Sequence, residues 1–134
     1  MDAEKTETVA VRAEIDVVAA RRIVRAWTVE LGFSLVDQTK MVTAASELAR
    51  NTLTHGLGGT MTLTVLNDGS RHGLQLSFED HGPGIADLAQ ALKDGYTTGS
   101  GMGMGLGGAK RLVNQFQVET APGRGTRVTV TRWK

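Results

Sequence analysis

The sequence predicts an α+β fold: a two-layer sandwich in which a mostly antiparallel sheet carries helices on one face. Three observations predict it. Two early segments repeat apolar residues at helical spacing, and later segments alternate apolar and polar residues around turn-forming pairs. Helical and strand-like segments do not follow the regular βα order that builds a parallel sheet. The 134 residues suit one core and therefore one domain, 1–134.

Each element has its own signal. "ETVAVRA" alternates and predicts a first strand. From Glu14 to Leu31, Val17, Val18, Ala20, Ile23, Val24, Trp27 and Leu31 recur at helical spacing, and Gly32 supplies the stop. Ser34 stands before Asp37 much as in a capping box, and the segment that follows runs to Gly56 with Met41, Ala44, Ala45, Leu48 and Thr52 on one face. "GTMTLTVLND" and "GLQLSFED" alternate around a Gly-Ser turn and predict a hairpin. A short segment, "ADLAQALKDG", leads into a glycine-rich stretch, and behind it Leu106, Ala109, Leu112, Val113 and Phe116 predict a third helix. "QVETAPGRGTRVTVTRW" closes the chain as a second hairpin around Pro122-Gly123.

Composition narrows the function classes. Fifteen basic and fourteen acidic residues leave a formal charge of +1, without the basic excess that marks nucleic-acid or anionic-membrane binding. Neither partner is expected. The chain has no cysteine, which excludes a disulfide framework or thiolate metal site and fits a reducing compartment. The charged start and the lack of a long apolar run predict a cytoplasmic protein.

The stretch "TTGSGMGMGLGGAKRL" places glycine at six of the ten positions from 99 to 108. Glycine in a regular element is less favourable than alanine by about 0.5–1 kcal/mol, so this density implies close backbone approach or a flexible surface loop. "GMGLGG" matches G-x-G-x-x-G, but no strand precedes it, which excludes the dinucleotide fingerprint. Lys110 follows Gly108 too late for a P-loop. What survives is the shared physics of backbone N–H groups leading into a helix, a setting suited to phosphate.

Two further stretches sharpen that expectation. Glu47 and Asn51 in "SELARNTLTH" are four residues apart and so share one helix face, a turn from each other. In "EDHGPGIADL" a strand ends at Asp80 and two glycines bracket a proline. Alone, the first pair suits a solvated surface and the second a tight turn.

In order, E-x-x-x-N on a helix, D-x-G-x-G-I after a strand, G-x-G-x-G-L before a helix and a final G-x-G-T resemble the ATP-binding domain of the GHKL superfamily, which implies a Bergerat-type fold. Glu47 and Asn51 match its N box. Asp80, Gly82, Gly84 and Ile85 match its first glycine box, Gly101, Gly103, Gly105 and Leu106 its second, and Gly125-Thr126 its closing element. Within the superfamily, "DVVAARR", "ELGFSLVDQTKMVTAASELARN", "DGYTTGSGMGMGLGGAKRL" and "APGRGT" resemble the RsbT-type switch kinases of stress signalling.

That resemblance implies a serine/threonine kinase that uses ATP and Mg²⁺. Its implied substrates are STAS-domain proteins of the RsbS and RsbR kind. Once freed, the kinase is expected to bind and activate a PP2C-type phosphatase, RsbU-like. An anti-sigma factor kinase, an ATP-gated binding module and a histidine-kinase domain acting in trans are the alternatives.

Asp80, an acceptor-only carboxylate, suits the adenine amino group, where guanine offers an oxygen. Thr126 can supply a hydroxyl beside it, and Gly82 and Gly84 leave room for base and ribose. Asn51 offers Mg²⁺ a neutral amide oxygen. Glu47 is placed to accept the proton of an attacking hydroxyl while metal and glycine loop hold the phosphoryl charge. His55 is expected to cap or pack at a helix end, and His72 and His81 to be solvated. Met102 and Met104 suit either a lid or an apolar anchor. Lys110 and Arg111 suit phosphate, an acidic partner or plain solvent.

Overall fold

Alternation and helical spacing become, in a computed structural model that describes residues 2–85, 88–92 and 105–134, one five-stranded sheet with its helices. In chain order these are β1 (Asp2–Val11), α1 (Glu14–Glu30), α2 (Leu35–Thr54), β2 (Gly59–Asn67), β3 (His72–Asp80), α3 (Leu88–Ala91), α4 (Gly105–Lys110), β4 (Gln115–Ala121) and β5 (Gly125–Trp133). All described strand pairs are antiparallel, in the order β1-β2-β3-β5-β4. The last strand thus enters between β3 and β4 and takes an interior position in the sheet.

The helices end where local chemistry ends them. Asp16 accepts the backbone N–H groups of Arg12 (2.8 Å) and Ala13 (3.1 Å), which holds the entry to α1. Gly32 closes that helix at φ 80, and Phe33 N–H returns to the Thr28 carbonyl at 3.0 Å. Ser34 caps α2 by accepting the Asp37 N–H at 3.1 Å. The Asp37 carboxylate turns to Arg132 of β5, 2.6 Å away, and this guanidinium holds its carboxyl below the usual carboxylate range.

The two long helices cover one face of the sheet. Val17, Ala20, Val24 and Trp27 of α1 and Met41, Ala45, Leu48 and Ala49 of α2 are buried with the inward row Met61, Leu63, Leu74, Leu76, Phe78, Val128 and Val130. Period-two alternation sends the other row outward, where Thr8 meets Thr62 at 2.9 Å and Ser77 meets Thr129 at 3.4 Å. This is the two-layer α+β arrangement that the sequence predicts.

Boundaries differ at three places. The first strand begins at Asp2 rather than Glu7, and its residues 2–8 are exposed while Val11 is fully buried. The third helix was expected to carry Leu112, Val113 and Phe116, yet α4 ends at Lys110 and Phe116 lies in β4. The sheet wins this contest. Asn114 N–H donates to the Thr131 carbonyl (2.9 Å), its side-chain oxygen accepts Trp133 N–H (2.7 Å), and Arg132 takes the Leu112 carbonyl (3.0 Å). The closing hairpin consequently starts at Gln115 rather than Gln117.

Candidate nucleotide site

Asp80 occupies an inward position. Along β3 the buried side chains are Leu74, Leu76 and Phe78, and the next residue in that register is Asp80, only 9% exposed. A carboxylate stands where the pattern would place an apolar side chain. One oxygen, Oδ1, accepts Gly82 N–H at 2.9 Å. Among the described residues no hydrogen bond reaches the other oxygen.

Bare backbone surrounds this carboxylate. A β-carbon on Gly56 would overlap the Asp80 carboxyl group, and one on Gly82 would lie 2.8 Å from Gly56 Cα. Gly84, at φ 80, sits against the Ala121 carbonyl, and Gly125, at φ 84, against the Asp80 carbonyl. The sequence assigns Gly82 and Gly84 to ligand approach. In the structure the space beside each of them is also taken by neighbouring backbone, so they are required for the chain to fold onto itself.

The C-terminal end of α2 is stitched to the same corner. The Asn51 carbonyl accepts N–H from His55 (2.9 Å) and Gly56 (3.2 Å), so the helix that carries Asn51 ends in the residue that packs on Asp80. Glu47 and Asn51, half-buried, stand one turn apart on α2 as their spacing predicts. His55 takes the helix-end position expected of it. His81 is exposed as expected, whereas His72 is hydrogen-bonded to Glu4 at 2.8 Å rather than simply solvated.

On the other side, Thr126 lies opposite Asp80 and Thr120 opposite Thr126 in the ladder. The two threonine hydroxyls are 2.9 Å apart, and Thr120 Oγ1 accepts Ile85 N–H at 2.9 Å. Gly123 N–H donates to the Pro83 carbonyl at 2.7 Å. Thr120 therefore fixes the end of the "DHGPGI" segment, a role that sequence reading missed. Its signal was the alternation Phe116, Val118, Thr120, which puts a hydroxyl on the row facing the helices.

Of the second glycine box, Gly105 and Leu106 are buried at the start of α4, and Gly105 has φ 68, a left-handed backbone suited to glycine. Gly101, Gly103, Met102 and Met104 lie outside the described residues. Lys110 is exposed. Among the described residues there is no cluster of three His, Cys, Asp or Glu side chains that could hold a metal ion. The donor set is therefore poor for a protein-caged metal. A neutral amide such as that of Asn51 has the chemistry to share a Mg²⁺ that arrives on phosphates and waters.

Comparison with known proteins shows the family and the fold. Residues 36–134 match the family described as histidine kinase-, DNA gyrase B-, and HSP90-like ATPase. The serine/threonine-protein kinase RsbT of Bacillus subtilis (strain 168) is 40% identical over 125 residues, which cover 93% of this chain and 94% of the relative. An anti-sigma F factor of Thermoanaerobacter sp. (strain X514) is 28% identical over 85% of this chain and 82% of its own. A solved structure of the RsbU and RsbW domains of a Mycobacterium tuberculosis protein matches with a TM-score of 0.68 at 20% identity. That match covers 98% of this chain but 33% of the other, so the likeness is one of fold, to part of a longer protein.

Proposed function

The chain belongs to the histidine kinase-, DNA gyrase B- and HSP90-like ATPase family and, within it, to the RsbT-type serine/threonine kinases; from that premise we propose how it works and on what. It transfers the γ-phosphoryl group of Mg-ATP to a serine or threonine of a STAS-domain protein. When released from such proteins it binds and activates a PP2C-type phosphatase, in the cytoplasm. The single observation that carries the site reading is the Gly56 contact. Through it the adenine-reading carboxylate of Asp80 and the Asn51 turn of α2 form one rigid corner.

The roles follow from that corner. Asp80 accepts the adenine amino group through the oxygen that Gly82 leaves available, and Thr126 lines the same end of β5. Gly105 and Leu106, buried at the start of α4, form the described end of the second glycine box. Mg²⁺, when bound, offsets charge on the transferring phosphoryl group, held in part by Asn51. Glu47 takes the proton of the attacking hydroxyl. No helix among the described residues is long and apolar enough to cross a membrane.

Incubation of the chain with Mg-ATP and STAS-domain proteins, followed by mass spectrometry of the phosphosite, tests the reading. Phosphorylation of one serine or threonine is the expected outcome. The similarity to anti-sigma F factors supports a second reading, sigma-factor capture. Stable binding of a sigma factor, with no transfer to any STAS protein, would favour it.

A further inference from the structure

The hydroxyl of Thr120 has two places to send one proton. Its Oγ1 accepts Ile85 N–H at 2.9 Å, lies 2.9 Å from Thr126 Oγ1 and stands 3.2 Å from the Gly125 carbonyl. A hydroxyl has one proton and two lone pairs, so Ile85 occupies a lone pair and the proton goes either to Gly125 or to Thr126. That direction decides what Thr126 offers a ligand. If Thr120 donates to Gly125, Thr126 gives its own proton to Thr120 and keeps only lone pairs. If Thr120 donates to Thr126, the Thr126 proton is free to point elsewhere.

The distances make the second arrangement accessible. Bonds between a hydroxyl and an oxygen usually span about 2.5–3.0 Å, so the 3.2 Å contact with Gly125 is long and little is lost by giving it up. Across the ladder Thr126 pairs with Asp80, and the Cβ atoms of such cross-strand partners are about 4.5–5.5 Å apart. No hydrogen bond joins these two side chains among the described residues. A carboxylate that only accepts therefore stands beside a hydroxyl whose polarity Thr120 sets. Adenine presents an amino donor and, next to it, a ring nitrogen that only accepts. To match that edge beside Asp80, Thr126 must donate.

We infer that Thr120 is a positioning residue for base recognition: it gives its proton to Thr126, which in turn donates, directly or through one water, to the ring nitrogen beside the adenine amino group. This rests on the nucleotide reading of Asp80 above and adds the residue that sets the polarity of Thr126. A hydroxyl that receives a hydrogen bond is polarised into a stronger donor, so the effect of Thr120 reaches the base through Thr126.

The test measures the affinity of the purified chain for ATP and for 1-deaza-ATP, in which that ring nitrogen is a C–H group. The parent should prefer ATP by about fivefold, the scale of one hydrogen bond. Thr120→Val keeps the shape of threonine but has no proton for Thr126 and no lone pair for Ile85 N–H. Both nucleotides should then bind more weakly, and the preference should shrink below about twofold. Thr120→Ser should restore it. In a Thr126→Val background the two affinities should be nearly equal whether residue 120 is threonine or valine. A purely structural role for Thr120 would weaken both nucleotides alike and leave the parental ratio in Thr120→Val, which overturns the proposal. So does a ratio in Thr120→Ser no better than in Thr120→Val. Should the valine variant fail to fold, Thr120→Ala against Thr120→Ser gives the same reading, and equal ratios in that pair overturn it. A parent that binds ATP and 1-deaza-ATP equally defeats the proposal alone, whereas a parent that binds no ATP defeats the nucleotide reading and the proposal with it.

Discussion

The two ends of the sheet are held together by different means. At the nucleotide end, backbone packs on backbone: Gly56, Gly82, Gly84 and Gly125 let β3, β5 and the end of α2 approach without side chains between them. At the opposite end, charges do the work. Asp37 pairs with Arg132, Asp68 accepts the N–H groups of Ser70 (3.0 Å) and Arg71 (2.9 Å), and Arg71 stacks 4.7 Å over the Trp133 ring. The backbone N–H donors around Asp68 hold its carboxyl well below the ordinary range. One end closes through charge pairs, with Arg132 Nε buried and without a hydrogen bond, and the other stays open by keeping an Asp80 oxygen free of hydrogen bonds among the described residues.

Substitutions at the open end should therefore change chemistry first and stability second. The largest effect is expected from Glu47→Gln, which keeps shape and hydrogen-bonding reach but removes the base. Single-turnover transfer should fall roughly 10²–10⁴-fold while ATP binding is retained. A parental rate would remove Glu47 from that role. Next comes Asp80→Asn, which puts an amide where the carboxylate accepts. ATP affinity should fall by roughly 10–100-fold, the scale of one charge-assisted hydrogen bond, and preference over GTP should narrow. Calorimetry with both nucleotides reads it, and equal parental affinities would dismiss Asp80 as the base reader.

Gly56→Ala sharpens the comparison because it acts through the Asp80 carboxylate packed on it. Its β-carbon displaces the Asp80 carboxylate, so ATP should bind about tenfold more weakly and stability should drop by about 1–3 kcal/mol. Chemical denaturation beside ATP titration separates the two losses.

Arg132→Met at the closed end should do the reverse, with stability lowered by about 1 kcal/mol and ATP affinity unchanged. Asp37 is depressed in the folded state, so its contribution is complete above the unfolded value of 3.8 and disappears as pH falls through the folded one. Parent and Arg132→Met should thus differ in stability at neutral pH, begin to converge as pH falls below about 4, and meet only below the depressed folded value. A gap that persists in acid would assign the loss to packing of the arginine stem.

How far the sequence reaches follows the same division. The helix from Ser34 and the hairpin around Gly69 are local, and their patterns were sufficient; the closing hairpin was read except for its first two residues. The placement of Glu47 and Asn51 on one helix and of Asp80 at a strand end was legible because motif and element coincide. Phe116 was misplaced because its spacing fits a helix that continues from Leu106 and a strand that alternates with Val118 equally well. Only the pairing of Asn114 with β5 decides between them. Thr120 and Gly56 were missed for a related reason. Their importance arises from which backbone lies beside them, and no periodicity within one segment encodes that.

The first strand carries a last consequence. β1 is an outer strand whose residues 2–8 stand in solvent and whose one sheet neighbour among the described residues is β2, with a register irregularity between Ala3 and Lys5. An open strand edge is a template for unwanted pairing between molecules. Here Lys5 lies over Trp27, 4.2 Å from the ring centre, and is 3.8 Å from Glu30, so a charge occupies the row that would otherwise continue the apolar face. The strand is consequently graded like a zipper fixed at one end. Amide protons near Asp2 exchange by fraying, while those near Val11 wait for the opening of the whole core.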